Sequence, residues 1–87
     1  MTDKSDKDVV TIDWEGGSYD GEVSDGVPDG QGTYKRLSGR KMEFQDTYVG
    51  EWKNGQYHGH GIHTEEEEEE GVRTKYVGEW KDGEQHG

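Results

Sequence analysis

Along residues 48–53 the chain alternates with a period of two: Tyr48, Gly50 and Trp52 fall on one side, Val49, Glu51 and Lys53 on the other. That is the period of a strand, not of a helix. The same alternation starts again at Tyr19 and at Tyr76. Each time it runs into Asp25-Gly26, Asn54-Gly55 or Asp82-Gly83, dipeptides that tolerate positive φ and favour tight hairpin turns. A second strand is expected to begin at the Gly-x-Gly step (Gly30/Gly32 or Gly59/Gly61) and to carry Tyr34 or His63. The pattern predicts hairpins whose Tyr and Trp share one face. Glycines on that face, lacking Cβ, let the aromatic rings lie across the backbone.

Aligning the tyrosines exposes a repeat. Segments beginning at Tyr19, Tyr48 and Tyr76 superimpose without gaps on the frame Y-x-G-E-[WV]-x-[DN]-G-x-x-[HD]-G-x-G-x-[YH], which places eleven of the 15 glycines in register. A lone hairpin is not stable in water, but three stacked along one axis can share a core. The frame closely resembles the MORN repeat (membrane occupation and recognition nexus), Y-x-G-E-W-x-N-G-x-x-H-G-x-G. Residues 48–61 match throughout, and residues 76–87 match as far as they run except Asp82 for Asn. The first repeat departs at Val23, Asp25 and Asp29. Counting Glu15-Gly16 as a preceding turn, the resemblance covers roughly residues 15–87. It implies an all-β fold, an elongated, twisted antiparallel sheet of tandem hairpins, open-ended.

Residues 9–87 are read as one domain, with repeats at 19–34, 48–63 and 76–87 joined by long hairpin connectors at 35–47 and 64–75. In the first connector Ser38-Gly39 is the expected turn, and Met42 and Phe44 share the even numbering of Tyr48 and Trp52, which extends the aromatic face. Tyr34 and Tyr48 share a face only if this connector turns about an odd number of residues, centred near Gly39; His63 and Tyr76 require an even loop. The second connector contains six consecutive glutamates, 65–70, whose like charges disfavour an ordered strand; its tip is expected to be mobile. Residues 1–8 read as a disordered lead. Residues 9–14 (VVTIDW) have strand character and are expected to cap the first hairpin. The third repeat stops at Gly87, so the strand 76–80 is expected to have one neighbour, leaving an open edge for self-association.

Composition sharpens this picture. Only 24% of residues are hydrophobic and mean hydropathy is -1.38, a polarity that normally implies disorder. Here the apolar share is concentrated in 3 Trp, 5 Tyr and 1 Phe, each burying a large area at modest entropic cost. The net charge is -11. An acidic surface repels phosphate backbones and anionic lipid, which argues against nucleic acid and against electrostatic membrane docking; a basic protein segment is the natural counterpart. With no cysteine, disulfides and thiolate metal sites are excluded. No apolar stretch reaches the length of a membrane span or signal-peptide core, so a cytoplasmic protein is expected.

Little in the sequence suggests catalysis. Glu22, Glu51 and Glu79 recur in register beside the glycine loops, where a carboxylate that accepts loop N–H bonds is the expected role. General acid–base work needs a pocket and an asymmetric partner. His58 and His60, with His63 after them, form the weak metal candidate, since strand spacing would put the first two on one face; His58 and His86 nonetheless belong to the repeat frame. The glutamate run lacks the ligand geometry of a calcium loop. Hydrolase, Walker and Rossmann signatures are missing. The expectation is no enzyme and no cofactor.

The reading is a protein-interaction or scaffold module. Tyr19, Tyr34, Phe44, Tyr48, Trp52, Tyr76 and Trp80 are the candidate partner-binding residues, Tyr and Trp being favoured interface anchors, and the expected partner is a basic or helical segment. The resemblance implies a cytoskeletal, ciliary or cell-cortex assembly. Phospholipid binding is the alternative, weakened by basic residues (Arg36, Arg40, Lys41, Arg73, Lys75) that are few and interleaved with acids.

Overall fold

A computed structural model describes residues 8–86, and these form one seven-stranded antiparallel sheet with strand order following the sequence. The strands are β1 (Asp8–Trp14), β2 (Gly17–Ser24), β3 (Val27–Ser38), β4 (Phe44–Lys53), β5 (Gln56–Glu67), β6 (Gly71–Lys81) and β7 (Glu84–His86). The sheet is elongated, 47 × 30 × 19 Å. It is the open sheet of hairpins expected from the repeat. β1 pairs with β2, as expected of residues 9–14, and takes in Asp8 as well. The expectation for the rest of the lead lies outside the described residues.

Four of the hairpin turns consist of two residues: Glu15-Gly16, Asp25-Gly26, Asn54-Gly55 and Asp82-Gly83, every one with φ between 46° and 85°. Positive φ at both positions matches the right-handed twist of the flanking strands. The second strand therefore starts directly after the turn, at Val27 or Gln56, and not at the Gly-x-Gly step. That step is instead a bulge. Between the pairs Gly21↔Gly32 and Val23↔Pro28, Glu22 faces three residues of β3; between Gly50↔Gly61 and Trp52↔Tyr57, Glu51 faces three residues of β5. Gly30 (φ 108°) and Gly59 (φ 69°) take the backbone through each bulge.

The register brings Tyr19, Tyr34, Tyr48, His63 and Tyr76 into one row across five strands, as the parity argument required. The first connector loop has an odd length, residues 39–43, but centres on Lys41 and not on Gly39. Met42 sits in that loop at φ 56° and is exposed, so it does not extend the aromatic strand; Phe44 does, as the first residue of β4. The second loop, residues 68–70, is odd where an even loop was expected. A bulge corrects the count: Glu65 faces Thr74 but Glu66 faces Val72, leaving Arg73 as the extra residue. The first half of the glutamate run is not irregular either. Residues 65–67 are in β5, paired to β4 and β6 on both sides. Ladder hydrogen bonds on two flanks, with Thr74 and Val72 opposite on β6 in place of further acids, outweigh repulsion along the strand.

β6 also differs from expectation. Its last three residues pair with β7, Glu79↔His86, Trp80↔Gln85 and Lys81↔Glu84, so the strand 76–80 has a second neighbour over part of its length. The self-association expected at that edge loses that part of its backbone template.

The core lies entirely on one face of the sheet. Tyr19, Val23, Tyr34, Tyr48, Trp52 and Trp80 are buried, with Val10, Ile12, Trp14, Tyr57 and Tyr76 packed around them. Bulges sharpen strand twist, and the turns are tied to the preceding hairpin: Gly55 N–H donates to Pro28 O at 2.8 Å, and Gly83 N–H to Tyr57 O at 3.0 Å; the Trp14 ring lies against Gly55 across the aromatic face.

Candidate interaction site on the aromatic face

The repeat frame is a hydrogen-bonding unit. In each repeat the tyrosine leans over the glycine two residues on, and its hydroxyl donates to the carbonyl of the frame glutamate: Tyr19 to Glu22 (2.5 Å), Tyr48 to Glu51 (2.9 Å) and Tyr76 to Glu79 (3.1 Å). A Cβ on Gly32 or Gly61 would overlap the ring of Tyr19 or Tyr48. The glutamate side chain faces the bulge. Glu22 Oε1 accepts the Gln31 N–H at 2.7 Å, and the Glu51 carboxylate lies against Gly59 in the same way. Glu22 thus has the structural role expected of it, and Glu51 is placed alike.

Above this backbone the rings form a ladder. Trp52 meets Tyr19, Tyr48 and Tyr57 edge-to-face at 5.0, 5.3 and 4.9 Å, and its indole N–H donates to Gly32 O at 3.2 Å. Trp80 repeats the arrangement one unit on, against Tyr48, Tyr57 and Tyr76. Its Nε1 is buried with no hydrogen-bond partner among the described residues. Burial pushes the phenols of Tyr19, Tyr48 and Tyr57 up from 10.0 to about 12, with nearby carboxylates, Glu22 for Tyr19 and Glu51 for Tyr48, acting in the same direction.

Five of the seven residues expected to bind a partner, Tyr19, Tyr34, Tyr48, Trp52 and Trp80, are therefore buried in the core, while Phe44 and Tyr76 are half-buried. Phe44 carries the Arg73 guanidinium 5.5 Å above its ring, a contact created by the Arg73 bulge. The aromatic face is not an open groove along its length. It keeps a cleft of about 360 Å³, where Trp14, Tyr34, Trp52, Tyr57 and His63 meet beneath the turns that contain Gly55 and Gly83, and a smaller recess of about 250 Å³ beside Phe44 and Arg73. Arg36 and Asp46, paired at 3.4 Å, stand at one side of the cleft, and Tyr34 Oη donates to Glu15 O at 2.7 Å.

Tyr57 is the residue that sequence reasoning missed. It stacks on Tyr48 at 3.8 Å, nearly parallel, and lies between Trp52 and Trp80. The frame treats its position as variable. A signal was present: Pro28, the equivalent residue of the first repeat, is also apolar and is fully buried.

The histidines do not converge. His60 lies 3.6 Å from Glu79 on the outer face, while His63 packs against Tyr57 and Trp80 on the inner one. Among the described residues no group of three or more His, Asp or Glu is placed to hold a metal ion.

Compared with known proteins, residues 19–39, 48–64 and 76–87 match the MORN repeat family. Alsin from Homo sapiens and from Pan troglodytes each share 38% identity with the chain over 50 residues. That stretch is 58% of this chain and only 3% of either relative's length. No solved structure gives a significant match.

Proposed function

Since the chain belongs to the MORN-repeat family, we propose that it is a non-catalytic interaction module that grips a basic protein segment in the cleft of its aromatic face. The supporting observation is the cleft itself. Around Trp52 and Trp80 much of the aromatic ladder is closed by ring-on-ring packing, whereas Trp14, Tyr57 and His63 still border about 360 Å³ of open space. Apolar side walls with a few polar groups suit an inserted side chain. Glu15 and Asp46 at the rim, on a chain of net charge -11, favour one carried by Lys or Arg. The setting implied by the family resemblance is a cytoplasmic scaffold of cytoskeletal, ciliary or cell-cortex type.

Affinity capture from the native cell extract, run in parallel with wild type and with Glu15→Gln/Asp46→Asn, tests the reading. Both carboxylates border the cleft and neither belongs to the buried core, so the double variant is expected to stay folded and lose its partner. Equal recovery of the same partner by both proteins would sink the assignment to the cleft. Flotation with anionic liposomes addresses the phospholipid alternative: recovery of the chain with the vesicles at physiological salt would favour it, and the charge predicts none.

A further inference from the structure

The walls of the cleft are rings, and the polar groups beside them are already engaged. Tyr57 rests on Tyr48 by one face, 3.8 Å away and within 5° of parallel, which leaves its other face to the cleft it lines. Trp52 stands at 85° to that ring and at 70° to Tyr34, and His63 is tilted by 38° at 6.4 Å from Tyr57. Trp14 closes a further side, against Gly55. One space is thus bordered by aromatic rings from several directions. The Tyr34 hydroxyl is committed to Glu15 O, the Trp52 indole N–H to Gly32 O, and the Asp46 carboxylate to Arg36.

Ring faces attract cations through their quadrupole, and the charge around the cleft agrees. Its charged lining residues are Glu15, Asp46 and Arg36, and Asp46 already offsets Arg36, so acid is in excess. Further along the same face Glu65 is paired opposite Asp46, and Arg73 shares its recess with Glu65 and Glu66. The acceptor count then selects among cations. A plain lysine ammonium is strongly hydrated and has three N–H donors to satisfy. Among these rings it would give up water for few replacement acceptors, which is costly. Methylation removes the donors and keeps the charge. We infer that the cleft is an aromatic cage for the N-methylated ammonium of a lysine side chain. This rests on the reading of the cleft as the docking site and narrows what enters it. A choline lipid carries the same cation, but its phosphate would meet Glu15 and Asp46 at the rim, whereas a lysine stem brings no such charge.

The test titrates the whole chain with three synthetic peptides that differ at one central residue: trimethyllysine, lysine, and the uncharged tert-butyl isostere of trimethyllysine. Peptide anisotropy measures affinity, and emission from Trp14 and Trp52 reports occupation of the cleft. The trimethyllysine peptide is expected to bind about tenfold more tightly than either of the others, the scale of a desolvated cation–π contact, with a change in tryptophan emission. Trp14→Leu, which removes one wall and leaves the buried cluster in place, is expected to weaken that peptide by about fivefold at an unchanged melting temperature. Lysine binding as tightly as trimethyllysine overturns the cage and leaves the cleft as a docking site for ordinary basic segments. Equal binding of the isostere shows that shape alone is read, and also overturns it. Failure of the trimethyllysine peptide to bind wild type overturns the cage as well, while the capture experiment with Glu15→Gln/Asp46→Asn still decides the cleft separately. Flotation of the chain with uncharged phosphatidylcholine vesicles would move the cation to a lipid headgroup and overturn the assignment to a protein side chain.

Discussion

At Gly32 and Gly61 a single hydrogen atom decides whether a tyrosine ring can lie across the neighbouring strand. Gly32→Ala would push its methyl group into Tyr19, and the ring can give way only by breaking its bond to Glu22 O. The expected loss is about 3 kcal/mol, at the upper end of overpacking costs. Gly26 is different: it sits at φ 78° with nothing near its missing Cβ, so Gly26→Ala meets only backbone strain, about 1–2 kcal/mol. Urea denaturation of the two variants checks the order. The same rings set the alkaline limit of the fold. Phenols raised from 10.0 to about 12 stay neutral in the folded chain at a pH where the unfolded chain has already lost their protons. Their stabilising contribution is complete below pH 10 and lost as the pH rises to about 12. Melting followed by circular dichroism is expected to fall steeply across that window, and Tyr57→Phe, which removes one ionising group, to soften the fall.

Among the elements, the hairpin that carries Trp52 matters most, since its indole touches rings from β2, β3, β4 and β5. Trp52→Ala is expected to cost about 3–5 kcal/mol, enough to unfold so small a domain. The connector hairpin behaves in the opposite way. Glu66→Thr/Glu67→Thr, in a strand already held on both flanks, relieves repulsion and is expected to gain about 0.5 kcal/mol, a gain that added salt erases. Thermal melts with and without salt separate the two effects. These elements also show what the residues disclose in advance. Alternation, Asn-Gly and Asp-Gly turns and numbering parity define the hairpins and the tyrosine row, because side-chain direction in a strand has a period of two. The bulges are harder to foresee: Gly30 and Gly59 look like strand glycines until the pairing on both sides is known, and Arg73 is extra only relative to β5. Tyr57 stands at a position the repeat leaves variable. The curl that closes the aromatic face is a property of all seven strands together, so residues that read as a binding surface became the core.

The whole molecule is nearly one-dimensional, each strand packing mainly against its sequence neighbours. Stability in such an array is the sum of local units and their interfaces. Trp80→Ala should therefore release β6 and β7 without releasing the first repeat. Native-state hydrogen exchange is the measurement: amides of β6 lose protection in the variant, while those of β2 and β3 retain most of theirs. Uniform loss along the chain would mean that the sheet unfolds as a single cooperative block.

The bonds from Gly55 to Pro28 and from Gly83 to Tyr57 have a consequence for how such an array changes in length. In each of the two joints the later repeat's turn supplies the donor and the residue two past the earlier repeat's turn supplies the acceptor. A duplicated unit inserted in frame would arrive with both halves of the joint, its own turn satisfied from behind and the next turn satisfied by it. Repeat number is thereby free to drift by whole units at little structural cost, whereas a partial insertion breaks a joint on one side. Reach, rather than fold, is what recombination can tune in this protein.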